Sequence, residues 1–304
     1  MVHLHHFLYT LLTLKHIPQK VGRTEARKSI GTSTSAIRRS SFAAKNMPDD
    51  NTEQQHKKRK SKWTTSYSNM SLLDTEGRLG FRIRDIKTVP LTSVLTKANY
   101  ALEGEDSVLK TKEIVYEQIV DHILIEGYPT EAETYFKEAN VNDLVYAIIK
   151  PIIVNFVRKS GRKGVQLLRE KELVSVDGEA GGNEEFVVMD IISLTERNYV
   201  FIIEGKRSSV GEAMKRCLLS LKDGDNNGGG VVYGFVTTGQ HWQMLSSYDG
   251  TLFQKTREMT VVFDGMDQDK ELWMKEGSML VDCMNLALSN GGIVKKDVVV
   301  VVAE

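Results

Sequence analysis

The sequence predicts an α/β domain, a mixed β-sheet flanked by helices, behind a disordered basic leader. Three observations predict it. Apolar residues recur at helical spacing up to Gly161 and switch to strand-like runs after Gly164. A helical pattern over Gly211–Asp223 interrupts those runs. Basic residues crowd the first 62 positions, which hold 13 Lys/Arg against 4 Asp/Glu in a chain whose totals are 40 and 40. The remainder holds 27 against 36, so a chain of zero net charge divides into a cationic arm and an anionic body.

The first 48 residues contain one acid, Glu25, and the run SIGTSTSAIRRSSFAA. Arg-rich, Ser-rich and acid-poor composition belongs to transit peptides. The opening HFLYTLLTL outlines a secretory apolar region broken by Tyr9, Thr10 and Thr13. Disorder alone, or a start at Met47 or Met70, accounts for the same residues. The run HKKRKSK follows, with Lys57, Lys58, Arg59, Lys60 and Lys62. Closely spaced cations suit the acidic groove of a nuclear-import receptor or nucleic-acid phosphates. The reading divides the chain into a leader at 1–65, a polar lead-in with one short element at 66–109, and the folded domain at 110–304.

Within the domain, Ile114, Val115, Ile119, Val120 and Ile123 lie at helical spacing, ended by Gly127-Tyr128-Pro129. A short helix over Glu131–Glu138 is expected next. A longer one follows through Leu144–Val157, capped by Asn142 or Asp143, with Pro151 kinking or splitting it. VQLLREKELVSV, EFVVMDIISL and NYVFIIEGK read as three successive strands. The helix at Gly211–Asp223 carries Ala213, Met214, Cys217, Leu218 and Leu221 on one face. VVYGFVTTG, HWQMLSS, TLFQKT and MTVVF read as further strands, Lys270–Ser289 as a last helix, and VKKDVVVVVAE as one more strand. No run approaches the roughly 20 apolar residues of a spanning helix, which predicts a soluble protein. Two cysteines, Cys217 and Cys283, in apolar surroundings predict buried, inert thiols and no dependence on disulfides.

One constellation carries chemistry. Tyr199–Ile203 is continuously apolar, as in a strand buried on both faces, and ends at Glu204-Gly205-Lys206. Alternation sends Glu204 and Lys206 to the same side. Charges at the mouth of a buried strand destabilise unless they are paired or bind a metal. Asp190 ends the apolar FVVM run of the preceding strand, and a tight turn at Thr195–Asn198 would set it beside Glu204. Two carboxylates supply hard oxygens for Mg²⁺, and a nearby ammonium stabilises developing charge. The competing account is an edge salt bridge between Glu204 and Lys206, with Asp190 starting a turn.

The stretch MDIISLTERNYVFIIEGKRSSVGEAMKRCLLSLKD, followed by VVYGFVTTGQHWQML, resembles the PD-(D/E)XK nuclease-like domains of fungal proteins. That group includes domains of Crinkler-type effectors and of fungal lineage-specific expansions. The resemblance covers about residues 185–247 and includes a YG-x-V-T-x-G-x-x-W hairpin. It implies a restriction-endonuclease-like fold, Asp190 and Glu204 as ligands of Mg²⁺ or Mn²⁺, and Asp190, Glu204 and Lys206 as the catalytic set. The usual proline before the Asp is replaced by Met189. An acidic residue on the preceding helix is also implied, with Asp143 and Glu117 as candidates. Glu185 reads as an exposed strand-start carboxylate or an extra ligand. Lys215 and Arg216 read as a solvated helix face or phosphate contacts, and His241 and Trp242 as turn and core. The Gly224–Gly230 loop lacks the Lys-Ser/Thr of a Walker loop.

The function implied is Mg²⁺-dependent hydrolysis of nucleic-acid phosphodiester bonds, DNA foremost, without membrane association. The rival is a non-enzymatic effector that uses the fold to bind a nuclear host protein or chromatin. The acidic body argues against strong groove binding. The expected localisation is the nucleus, with the mitochondrion or secretion into a host cell as alternatives.

Overall fold

The computed structural model describes residues 62–96, 105–130, 132, 134–224, 230–248 and 250–292. Most of the leader, with Lys57, Lys58, Arg59 and Lys60, lies outside them, as do the loop at 225–229 and the valine-rich tail from 293. Lys62 is described, and its ammonium pairs with Glu172 at 2.5 Å.

In chain order the elements are β1 (Thr65–Ser66), α1 (Leu72–Leu79), β2 (Lys87–Val89), α2 (Leu91–Leu95), α3 (Glu105–Glu126) and α4 (Glu138–Ser160). Then follow β3 (Val165–Val174), β4 (Ala180–Ile191), β5 (Arg197–Gly205), α5 (Val210–Asp223), β6 (Val231–Thr237), β7 (His241–Tyr248), β8 (Leu252–Thr256), β9 (Met259–Thr260), α6 (Lys270–Lys275) and α7 (Met279–Asn290). The sheet runs β1-β4-β5-β6-β7-β8-β2, with β3 also on β4 and β9 also on β7. β3, β4 and β5 form an antiparallel meander, α5 crosses over, and β6 returns parallel to β5. The mixed α/β class expected from the sequence is what the chain forms.

Two cores sandwich the sheet. One packs α3, α4, α6 and α7 against Phe201, Ile203 and Phe235. The other packs α5 and the segment around Tyr67, Leu79 and Ile86 against Val187, Ile202 and Val236. The strand centres are apolar on both faces because both faces are covered. Nine consecutive residues of α5, Ala213–Leu221, are buried. A helix with one buried face, as the sequence suggested, would not show this. The outer side of α5 is covered by the residues the sequence reading left as a lead-in.

That lead-in is part of the domain. β1 adds to β4 in parallel, with Thr65 opposite Ala180, and β2 adds to β8, with Lys87 opposite Gln254. Strands of two and three residues leave too little alternation to be read from sequence. A part-buried ion network fastens the segment: Arg78 pairs with Asp223 at 2.9 Å and Asp177 at 3.0 Å, and Tyr67 donates to Asp223 at 3.0 Å.

Four helix expectations change. Described residues between Gly127 and Lys137 form no helix; instead Glu138 opens α4. Asn140 caps it by accepting from the Lys137 amide at 2.8 Å, in place of Asn142 or Asp143. Pro151 sits inside an unbroken α4, where Ile148, Ile149 and Ile152 are fully buried and hold the helix across the missing hydrogen bond. α4 is long and apolar enough to cross a bilayer by composition, yet its apolar face is core. The last helix is two, broken at 276–278, where a side chain on Gly277 would collide with the Trp273 ring at 2.8 Å. Both cysteines are free and buried, and burial pushes both thiols up.

Candidate active site

The β4–β5 register decides which carboxylates meet. Asp190 pairs with Asn198 and Phe186 with Ile203, so Glu185 and Glu204 lie together at the other end of the hairpin, just past the last of these pairs. Asp190 therefore does not lie beside Glu204. At the ~3.3 Å rise of a strand, the six residues from Asn198 to Glu204 put the two apart by about 20 Å. The expected pairing assumed a turn at Thr195–Asn198. The turn closes earlier, where the Glu196 carbonyl accepts from the Ile192 and Ser193 amides at 3.0 and 3.1 Å. In an antiparallel hairpin each residue by which the midpoint moves shifts the cross-strand partner by two. A bulge between Val188 and Met189 adds one more step. Asp190 is instead held by Arg162, whose Nε and Nη2 donate at 3.1 and 2.5 Å while Nη1 donates to the Leu288 carbonyl.

At the other end of the hairpin a polar cluster forms on buried ground. Glu204 and Glu184 have no solvent exposure, and Glu185 is 5% exposed. Glu185 accepts from the Gly205 amide at 2.6 Å and from the Lys206 ammonium at 3.0 Å. Lys206 also donates to Glu138, the first residue of α4, at 2.5 Å. Arg216 of α5 places Nη1 3.1 Å from Glu204 and 4.0 Å from Glu185, and its Nη2 donates to the Asn183 carbonyl at 2.9 Å. Among the described residues Glu204 meets Arg216 directly and the adjoining Glu184 carboxyl beside it, with Lys206 acting at longer range. Four carboxylates thus converge on two cations.

The charges perturb one another. Burial, then the Glu204 charge, push the Glu185 carboxyl up to about 8, against the pull of Lys206. Burial, then Glu184, push Glu204 well above the ordinary carboxylate range. Burial would lower Lys206, but Glu185 and Glu138 outweigh it and leave the ammonium raised. Burial raises Glu138, but Lys206 outweighs it and holds that carboxyl below its ordinary value. A buried excess of carboxylate is relieved by protonation or by a cation.

Local sequence explains the positions. Gly205 lets the chain pass: a Cβ there would meet Asn142 Oδ1 and Glu185 Oε2, both at 3.0 Å. The β6–β7 hairpin carries the YG-x-V-T-x-G-x-x-W pattern and supports Lys206 from below, since the Lys206 amide donates to the Thr237 carbonyl at 2.9 Å. Gly234 leaves room for Cys217 of α5, Gly239 turns at φ 88, and Trp242 is buried with its indole donating to the Gly239 carbonyl. His241 lies 3.4 Å from Glu258 at the hairpin rim. A polar cleft of about 300 Å³ opens onto the cluster, lined by Trp63, Ser66, Glu138, Asn142, Glu185 and Arg216 among others.

Glu204 and Lys206 are brought into one cluster; Asp190 is not. Asp143 and Glu117 are exposed, Asp143 lying 3.6 Å from Arg169, and Glu138 supplies the helix carboxylate. Glu185 is a buried partner and not an exposed strand start. Lys215 is not solvated either, since it donates to the Met70 carbonyl at 3.0 Å. Sequence reasoning missed Glu138, Glu184 and the burial of Arg216. A turn placed at 192–196 would have found Glu184 and Glu185. Among the described residues no group of three or more His, Cys, Asp or Glu side chains is already arranged around a metal position.

No protein-family model matches the sequence, and no curated protein matches it. Among solved structures, the cryo-EM structure of a DrdV–DNA complex is similar at 10% identity and a TM-score of 0.34, over 59% of this chain and 14% of that one.

Proposed function

We propose that the Glu185–Glu204–Lys206 cluster is the site of a divalent-cation-dependent nuclease, with DNA as the expected substrate. The observation that carries this reading is Glu204. It is a fully buried carboxylate at the end of a core strand, crowded by two others and offset directly by the single guanidinium of Arg216. Such oxygens are hard ligands of the kind Mg²⁺ and Mn²⁺ take, and Mg²⁺ needs few of them because it keeps several waters. Glu185 and Glu204 would hold the ion, with Glu184 adding negative charge behind them. When bound, such an ion polarises a phosphoryl oxygen and acidifies a water.

The chain's own groups supply the rest. Lys206 keeps its proton and is held at a fixed place by Glu138 and Glu185. It therefore serves as a positive group that orients a phosphate and stabilises developing charge, not as a base. Glu185, with its raised pKa, can hold a proton until a cation takes its place. The order of an acidic strand followed by E-x-K supports the reading, as does the sequence resemblance, with Glu185 taking the place first given to Asp190.

One observation favours a second reading, a non-enzymatic effector that binds a nuclear host protein or chromatin. Both cations of the cluster are already paired with its carboxylates, as in an inert scaffold, and a fold does not by itself fix a function. Nuclear import through Lys57–Lys62 fits either reading, and a reporter carrying residues 50–65 should then accumulate in nuclei. The deciding experiment incubates purified full-length protein with single- and double-stranded DNA in Mg²⁺, Mn²⁺ or chelator. Cleavage that needs the ion and disappears in a folded Lys206→Ala variant is the expected result. No cleavage by the wild type under any of these conditions supports the second reading.

A further inference from the structure

We propose that Arg216 is the resident counterion of the carboxylate cluster, a positioning residue that competes with the divalent cation and so sets its affinity. The inference rests on the metal-site reading above. Arg216 comes from α5, outside the E-x-K segment, and its guanidinium lies between the two carboxylates assigned to the ion, 3.1 Å from Glu204 and 4.0 Å from Glu185. The side chain is 10% exposed and anchored to the Asn183 carbonyl, so it cannot withdraw into solvent without breaking a part-buried hydrogen bond. Lys206 is committed to Glu138 and Glu185 and acts on Glu204 only at longer range, whereas Arg216 makes the direct ion pair with it.

The geometry makes burial of Glu204 tolerable before any ion arrives. An isolated buried carboxylate is strongly disfavoured, and removing one member of a buried pair leaves the other uncompensated. The same guanidinium must then repel an incoming dication. Charges a few ångströms apart in a protein interior interact strongly enough for at least a tenfold change in affinity. Arg216 thus trades cation affinity for stability of the ion-free protein.

The test measures Mn²⁺ binding by calorimetry, and Tm with and without Mn²⁺, for full-length wild type, Arg216→Met and Arg216→Lys. The expected result for Arg216→Met is Mn²⁺ affinity at least tenfold tighter, a lower Tm without metal, and a larger rise in Tm on adding Mn²⁺. Arg216→Lys, which keeps the charge, should stay near wild type in affinity. Equal or weaker Mn²⁺ binding by Arg216→Met overturns the proposal while leaving the metal site standing; absence of Mn²⁺ uptake by the wild type overturns both. If Arg216→Met does not fold alone, the double variant Glu204→Gln/Arg216→Met should recover the Tm of the metal-free wild type. Failure to recover it overturns the counterion role.

Discussion

Glu204 and Glu185 share one guanidinium, that of Arg216, at 3.1 and 4.0 Å, while Asp190, five residues further along β4 from Glu185, pairs with Asn198 at the other end of the hairpin and with Arg162 beyond it. The carboxylates at one end are crowded and buried; the carboxylate at the other has its own cation. The consequences can be measured separately.

Asp190→Asn should weaken the fold. The Arg162–Asp190 pair is mostly buried, with side chains 19% and 17% exposed, and the amide keeps the shape but loses the charge. A loss of about 1–3 kcal/mol is expected for a charge-assisted, part-buried bond, read as a lower urea midpoint at unchanged slope. Stability equal to wild type would show that Arg162 finds another partner.

Stability without metal should depend on pH through Glu185. Its folded value is raised from 4.5 to about 8 by burial and by Glu204, so the folded state keeps a proton that the unfolded chain releases. Stability therefore falls as pH rises from about 4.5 to about 8, then levels off. Denaturant titrations across this window should show wild type losing stability relative to Glu185→Gln as pH rises. A difference between them that does not change with pH contradicts the burial argument.

Gly205→Ala should disturb the site from within the strand. The new methyl would lie 3.0 Å from Glu185 Oε2 and Asn142 Oδ1 and 3.3 Å from Val141, which is fully buried. Glu185 is tied by two hydrogen bonds and Val141 by the core, so relief must come from displacement. Overpacking of this kind costs about 1–3 kcal/mol. Lower Tm together with weaker Mn²⁺ binding is expected, and an unchanged pair of values would contradict it.

Arg78→Ala should show that the segment before α3 belongs to the domain. It leaves the Asp223 carboxylate, 7% exposed, with only the Tyr67 hydroxyl named above as a partner, at a cost of about 3 kcal/mol. Urea unfolding checks this, and a change within experimental scatter would argue that the segment packs loosely.

Much of the fold was legible because its signals are local. The apolar runs ending at Ile191 and Gly205 and the helix before β6 follow from periodicity that one window can hold. The site was legible only in half. Glu204-Gly205-Lys206 announces itself as charge at the end of a buried strand. Its partners do not, because Glu185 is selected by turn closure at Ile192–Glu196 and by the bulge at Val188, neither written in the side-chain alternation. Glu138 and Arg216 arrive from helices whose approach is fixed by packing across the sheet, and no spacing along the chain encodes that. β1 and β2 are too short to carry a pattern, and their pairing depends on edges that other strands create.

The central claim is that a divalent cation is held at the Glu185–Glu204 end of the hairpin. Mn²⁺ binding by calorimetry to wild type, Glu204→Gln, Glu185→Gln and Asp190→Asn tests it most directly. The account predicts saturable uptake by the wild type, a loss of at least roughly 100-fold in affinity for each glutamine variant, and wild-type affinity for Asp190→Asn. Uptake abolished by Asp190→Asn and untouched by Glu204→Gln, or no uptake by the wild type, would contradict it.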